Sequence, residues 1–268
     1  MDAYTEGIVL RQTKILRGRR MITLFSKEYG KLGAGTSIAG RGQGRSLLAI
    51  RPFTHGNYGL RRSRDAWHIN SAEVLRGFYR IAEDPDKFAS CSYALEFTEK
   101  LLPEESPAPE LFALLTEYFD MMERRRRQFD ALTVAFLFKA IRLWGAAPEI
   151  ERCARCGRPP QGAFFYGIRD GGLVCGACRD AAEAENIPSA VDDRLLYPLD
   201  FAILNVIRYF LERPLGDFAH LAPDESALAA LKRIAGEHAA WHLGVSGIKS
   251  EEFFNAGLTT IGMKGAAD

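Results

Sequence analysis

Residues 6–36 read EGIVLRQTKILRGRRMITLFSKEYGKLGAGT. The runs EGIVLRQ (6–12) and RMITLF (20–25) are rich in β-branched and other apolar residues, as strands are. KEYGKL between Phe25 and Gly33 reads as a turn, with Gly30 free to take positive φ. Further strand runs follow at GAGTSIA (33–39), FTHGNYGL (53–60) and DAWHINSAEV (65–74). Five short strands joined by glycine-rich connections predict a small closed barrel, which leaves no exposed sheet edge.

The texture changes after Glu73, where apolar residues begin to recur at three and four. DPDKFASCSYALEFTEKLL (84–102) opens on an Asp–Pro start signal, and APELFALLTEYFDMM (108–122) follows the proline-rich break PEESPAP. FDALTVAFLFKAIRLWGAAP (129–148) is apolar on most faces and predicts a buried helix closed by Gly145 and Pro148. LDFAILNVIRYFLE (199–212) and DESALAALKRIAGEHAAWHLG (224–244), with Asp224 as N-cap, predict two more. The fold class expected is α+β and multidomain: a five-stranded closed barrel over 1–78, then a helical domain over 79–268. A zinc ribbon is expected within the latter at 150–180.

Four of the five cysteines lie in CARCGRPPQGAFFYGIRDGGLVCGAC (153–178), as C-x2-C, 18 residues, C-x2-C. Each pair can aim two sulfurs at one ion, and Asp170–Gly171–Gly172 gives a hairpin turn between them. Cys153, Cys156, Cys175 and Cys178 are therefore expected to hold one structural Zn²⁺. Four thiolates fill the shell, whereas catalytic zinc keeps a position open. Cys91, in an apolar helix, reads as a core thiol. His238 and His242 share a helix face but have no third ligand nearby.

The net charge of +1 hides an asymmetry. Residues 1–80 carry 15 Lys/Arg against 5 Asp/Glu, a formal +10, and residues 81–268 carry 20 against 29, a formal −9. The basic half suggests a polyanion partner. Lys14, Arg17, Arg19 and Arg20 crowd the first strand connection, and Lys27 and Lys31 flank the next turn. Arg41 and Arg45 lie in GRGQGR, and Arg61, Arg62 and Arg64 precede the last strand. These are the expected DNA contacts, since cations track phosphates on a single strand. Phe53, Tyr58 and Trp67 could stack bases or fill the barrel core. ERRRRQ (123–128) reads as a solvated helix end that cannot form one stripe, because consecutive helical residues spread around the axis.

No phosphate-loop, dinucleotide-binding or G-x-S-x-G motif appears, and no H-E-x-x-H. The barrel's few carboxylates are scattered, so an enzyme is not expected. The rival readings are a zinc-ribbon nuclease and a zinc-ribbon transcription factor. The N-terminus has no signal-peptide core and no run is long enough to span a bilayer, so a cytoplasmic, nucleoid-associated location without a membrane partner is expected.

In order and spacing, these segments resemble the RecO family of DNA recombination and repair mediators. The likeness runs through IVL, R.ITLF, YGK and RPF in residues 6–62, FKAIRLWGAAPEIERCARCG (138–157), GGLVCGAC (171–178) and GIKSEEFF (247–254). One departure is the wholly basic LRGRRM (16–21), where family members often carry an acidic residue. The resemblance implies that the barrel over 1–78 is an oligonucleotide-binding (OB-fold) domain, and it implies binding of single- and double-stranded DNA and annealing of complementary strands. It implies RecR, the single-strand-binding protein and, indirectly, RecA as partners. It also points to the acidic, hydrophobic-tipped tail of the single-strand-binding protein. That tail needs cations, and residues 121–160 hold 9 Lys/Arg against 4 Asp/Glu. Lys139, Arg142, Arg152 and Arg155 are the expected docking residues.

Overall fold

Strand β1 (Asp2–Lys14) serves two neighbours at once. Its first half pairs antiparallel with β4 (Thr54–Ser63), from Asp2 opposite Arg61 to Ile8 opposite His55. Its second half pairs with β2 (Arg20–Ser26), from Gly7 opposite Ser26 to Lys14 opposite Arg20. The register slips between Val9 and Arg11, a bulge that bends the strand from one neighbour toward the other. The structure is a computed structural model that describes residues 2–15, 19–38, 45–63, 66–159, 162–184, 195–220 and 223–256.

β3 (Gly30–Thr36) returns against β2 through the turn at 27–29. Gly30 has φ +73°, and a Cβ there would run into the backbone of Ser106. Both demands require glycine. β5 (Ala66–Gly77) pairs antiparallel with β4 and meets β3 in parallel at Ala34–Trp67 and Gly35–His68. The order β1-β2-β3-β5-β4 closes into the expected five-stranded barrel.

Alternate residues point inward and make its core. Val9, Ile22, Leu24, Leu32, Ala34, Tyr58, Leu60, Trp67 and Ile69 pack with Ile50. Phe53, Tyr58 and Trp67 are all buried, so all three belong to the barrel's packing rather than to its open surface, and only Trp67 also borders a cleft. The buried Tyr58 hydroxyl donates to the Ala49 carbonyl at 2.7 Å.

The chain divides into two compact units: residues 1–129 with 248–268, and residues 130–247. In the first, α1 (Pro85–Leu101) starts at Asp84, whose side chain accepts the N–H groups of Asp86 and Lys87. α2 (Pro109–Arg124) lays Phe112 edge-on to Phe25, centroids 5.3 Å apart. Cys91 is fully buried, and burial pushes its thiol pKa upward. α2 stops inside the arginine run. Arg125 is already extended, and its Nε donates to the carbonyls of Arg127 and Gln128. Only the first of the four arginines is helical, which corrects the reading of that run as helix surface.

The second unit holds α3 (Phe129–Leu143) from Asp130 onward. Its residues from Ala131 to Phe138 are all buried, as an all-round apolar sequence requires. Gly145 takes φ +77° after it. A three-stranded sheet, β7-β6-β8, is built from β6 (Phe164–Gly167), β7 (Gly172–Cys175) and β8 (Leu196–Leu199). α4 (Gly176–Ala184) leaves directly from the second cysteine pair. α5 (Phe201–Glu212) is capped by Asp200 and α6 (Glu225–Leu243) by Asp224. Lys232 of α6 forms an ion pair with Asp130.

The chain then re-enters the first unit. The Glu96 carboxylate accepts the N–H groups of Lys249 and Ser250 and the Ser250 hydroxyl, at 2.7–3.0 Å. α7 (Glu251–Ala256) follows, and Phe254 stacks on Tyr93 at 4.5 Å. No described helix is long and apolar enough to cross a membrane.

Candidate nucleic-acid interface and metal centre

The four cysteine sulfurs converge because two loops and one hairpin bring them together. Gly157, at φ +72°, turns the first pair, and its N–H donates to the Cys153 carbonyl at 2.8 Å. The β6–β7 hairpin places Cys175 opposite Phe164. All four sulfurs lie within 4.8 Å of one another and could hold a metal ion. Backbone N–H groups point at them, and Cys175 donates to Cys153 Sγ at 3.4 Å.

That environment divides the thiols. Cys156 is drawn down to about 6, foremost by the N–H of Arg158. At Cys153 burial pushes upward, but the N–H groups of Cys175, Cys156 and Arg155 outweigh it and the pKa falls. Burial raises Cys178 to about 12, and its neighbouring cysteines add to the rise. Four thiolates this close repel, so the set ionises fully only around a cation.

Arg155 grips Asp170 with both Nε and Nη2, at 2.8 and 3.0 Å, and so ties the first cysteine loop to the hairpin turn. Arg152 lies on the same loop, exposed, with Nη1 3.5 Å from the Gly157 carbonyl. Lys139 and Arg142 stand one turn apart on α3. The Lys139 ammonium lies 5.6 Å from the Phe218 ring centre, and Arg142 donates to the Leu211 carbonyl. His238 and His242 lie with rings 4.4 Å apart, but each Nε2 meets a backbone carbonyl at 2.7 Å, that of Ala146 or Ile168. The two histidines clamp chain segments rather than converge on a common point.

On the barrel, Lys14 and Arg20 are opposite each other at the turn end of the β1–β2 hairpin, beside exposed Arg19. Arg20 donates to Gln12 at 2.6 Å, and Gln12 donates to the Ile50 carbonyl at 2.8 Å, so this guanidinium is held in place. Lys27 faces Glu6 at 3.5 Å. Lys31 is largely enclosed, 3.2 Å from Glu104 and 2.9 Å from the Glu99 carbonyl. Arg61 is exposed, whereas Arg62 is 3.1 Å from Glu105 and lies over Trp67. The nominated cations therefore fall into an open group (Lys14, Arg19, Arg20, Arg61) and a carboxylate-paired group (Lys27, Lys31, Arg62). Arg17, Arg41, Arg64 and the side chain of Arg45 lie outside the described residues.

One surface escaped the sequence reading. Because Ile22, Leu24, Leu32 and Ala34 point inward, Met21, Gly33 and Gly35 point outward, while outward Thr23 is covered. Met21 is 41% exposed, and a Cβ at Gly33 would meet nothing within 4 Å. This leaves a smooth strip on β2 and β3 beside the basic hairpin end. The strands' alternation carried the signal, and attention to the charges passed over it.

Comparison with known proteins matches the chain in two consecutive parts. Residues 1–78 match the family model "Recombination protein O N terminal", and residues 82–252 match "Recombination protein O C terminal". The chain is 28% identical over 263 residues to a DNA repair protein RecO of Pelotomaculum thermopropionicum, covering 98% of this chain and 97% of that one. It is 30% identical over 196 residues to a namesake from Caldanaerobacter subterraneus, covering 73% and 79% of the two chains. A third, from Exiguobacterium sibiricum, is 33% identical over 172 residues, covering 63% and 68%. With both halves matched in order and the barrel, helices and cysteine hairpin in place, the chain belongs to the RecO family of DNA repair proteins.

Proposed function

We propose that this protein is a non-enzymatic recombination mediator. It binds single- and double-stranded DNA through the barrel, anneals complementary strands, and helps load recombinase onto strands coated by single-strand-binding protein. The observation that carries the reading is the open basic group at the β1–β2 hairpin end, on a barrel half of formal charge +10. In OB-folds the strand 2–3 face and the loops joining strands 1–2 and 4–5 take up oligonucleotides. Lys14, Arg19 and Arg20 border the first of these loops and Arg61 approaches the second. Phosphates on those cations and bases along the Met21–Gly33–Gly35 strip give binding that is largely blind to sequence.

The metal is Zn²⁺ and its role is structural. A tetrahedral ion with Zn–S bonds of about 2.3 Å spaces its sulfurs by about 3.8 Å. Cys156 Sγ and Cys175 Sγ are 3.8 Å apart. Among the described residues, these cysteines form the one group of three or more His, Cys, Asp or Glu side chains placed to share a metal ion. A nuclease centre of convergent carboxylates has no counterpart there.

Protein partners belong to the acidic half. RecR and the single-strand-binding protein are the direct ones and RecA the indirect one, in the cytoplasm at the nucleoid. Exposed Arg142 and Arg152 and half-buried Lys139 and Arg155 receive the acidic tail of the single-strand-binding protein. One experiment tests the whole reading: annealing of complementary strands with and without that protein, in Mg²⁺ and without nucleotide. Annealing with both strands left intact is expected. Strand cleavage, or no gain over spontaneous annealing, overturns it.

A further inference from the structure

Away from the β2–β3 strip, the start of β1, the 27–29 turn, the first residues of β5 and the 105–107 segment enclose a cleft of about 230 Å³. Ala3, Tyr29, Trp67 and Pro107 supply apolar walls, and Arg62, Glu28 and Glu105 the polar groups. Sites for drug-sized ligands run to about 300–1,000 Å³, so this one admits a single ring system.

The walls are fixed. Tyr29 and Trp67 lie 5.6 Å apart at 42°. The Trp67 indole N–H donates to Glu105 Oε1 at 3.0 Å, and Arg62 Nη1 donates to Glu105 Oε2 at 3.1 Å. Glu105 is held with φ +52°, a left-handed conformation that non-glycine residues adopt at a cost. The surroundings thus spend free energy to aim this carboxylate at the indole and the guanidinium.

We infer that this cleft holds one unpaired nucleobase of a bound single strand, guanine before thymine. The inference rests on the DNA-binding reading above. The aromatic walls suit a base. Two carboxylates at the cleft disfavour an anion inside and favour a ring that presents N–H donors. Carboxylate oxygens have lone pairs beyond those already used. The Watson–Crick edge of guanine offers N1–H and the N2 amino group together. Thymine offers one N–H flanked by two carbonyls. A paired base cannot present that edge, so the cleft discriminates single strands from duplex.

The test uses the full chain with Trp144→Phe and Trp241→Phe, leaving Trp67 as the reporter among three tryptophans. It is titrated with oligothymidylate of about 15 nucleotides, the upper site size of one such barrel, and with the same strand carrying one central guanine. The guanine strand should bind on the order of tenfold tighter and alter Trp67 emission, while blunt duplex leaves the emission unchanged. Ala3→Leu, which fills the cleft, and Glu105→Gln, which keeps its volume, should each bring the two strands to equal affinity. Equal affinity for the two strands, or a preference that survives both variants, overturns the inference alone. Failure to bind any strand at low salt overturns the DNA-binding reading and this inference with it.

Discussion

The Tyr166 hydroxyl lies 2.8 Å from Nδ1 of the buried His238, whose Nε2 is 2.7 Å from the Ala146 carbonyl. Tyrosine donates to one ring nitrogen and the other donates to the backbone, so the imidazole is neutral and fully used. Burial foremost, with His242 adding to it, pushes its pKa down to about 4.

Stability should therefore fall with acid in the second unit. The folded pKa is depressed, so the contribution is complete above the unfolded value of about 6.5 and is lost as pH falls toward 4. Between pH 7.5 and pH 5 the loss should be about 2 kcal/mol, read by urea denaturation. Tyr166→Phe should cost about 1–3 kcal/mol at neutral pH by leaving Nδ1 unsatisfied. A denaturation midpoint that ignores pH in this range contradicts the neutral-imidazole assignment.

Metal analysis should find one zinc per chain in protein purified under reducing conditions. Cys153→Ser with Cys156→Ser should lower solubility and melting temperature far more than DNA affinity per folded molecule, because structural zinc contributes to folding itself. Zinc-free wild-type protein with the same melting temperature would remove the structural role.

Replacing Arg17, Arg19 and Arg20 with Glu should weaken binding to all single strands alike. Each phosphate left without its cation should flatten the slope of log affinity against log salt by about 0.7. Lys31→Gln is the contrasting variant. Its ammonium serves Glu104 and the Glu99 carbonyl, so stability should fall by about 1 kcal/mol with the salt slope unchanged. Wild-type slopes in the triple variant would move the interface to the arginines at 124–127.

A fluorescent peptide carrying an acidic, hydrophobic-tipped tail should bind the full chain and be released by salt. Arg152→Glu, at an exposed position, should weaken the peptide several-fold through its association rate, as rim charges do, without changing DNA affinity. Arg142→Ala should do the same with some loss of stability, because that side chain also holds the Leu211 carbonyl. Undiminished peptide binding in both variants would place the tail elsewhere.

Glu96→Ala should free the last described helix. The carboxylate holds three donors from Lys249 and Ser250, so about 1–3 kcal/mol should be lost from the first unit. Faster hydrogen exchange should be confined to residues 248–256 and the face of α1 around Tyr93.

Much of this was legible in sequence because it is local. The Asp84–Pro85 start, the Asp224 cap, Gly30 and the paired cysteines each act through neighbours a few residues away. Alternation in residues 8–36 decided which side chains face the core. What could not be read depends on distant partners. Nothing near Lys31 or Arg62 announces Glu104 or Glu105, so both looked like free cations. β8 follows ten residues outside the described set, and its pairing with β6 has no local signature. The arginine run looked helical by continuity, but Arg125 turns back onto the carbonyls of 127 and 128.

The first unit is discontinuous: residues 130–247 form a separate unit inserted between α2 and the Glu96-bound segment. During synthesis the barrel and its first helices emerge early, yet the residues that dock on Tyr93 and Glu96 are made only after the inserted unit. The unit that holds the barrel therefore cannot finish folding until the inserted unit has been translated. A chain cut short anywhere in residues 130–247 exposes the Tyr93 face and marks itself as unfinished to the cell's proteases.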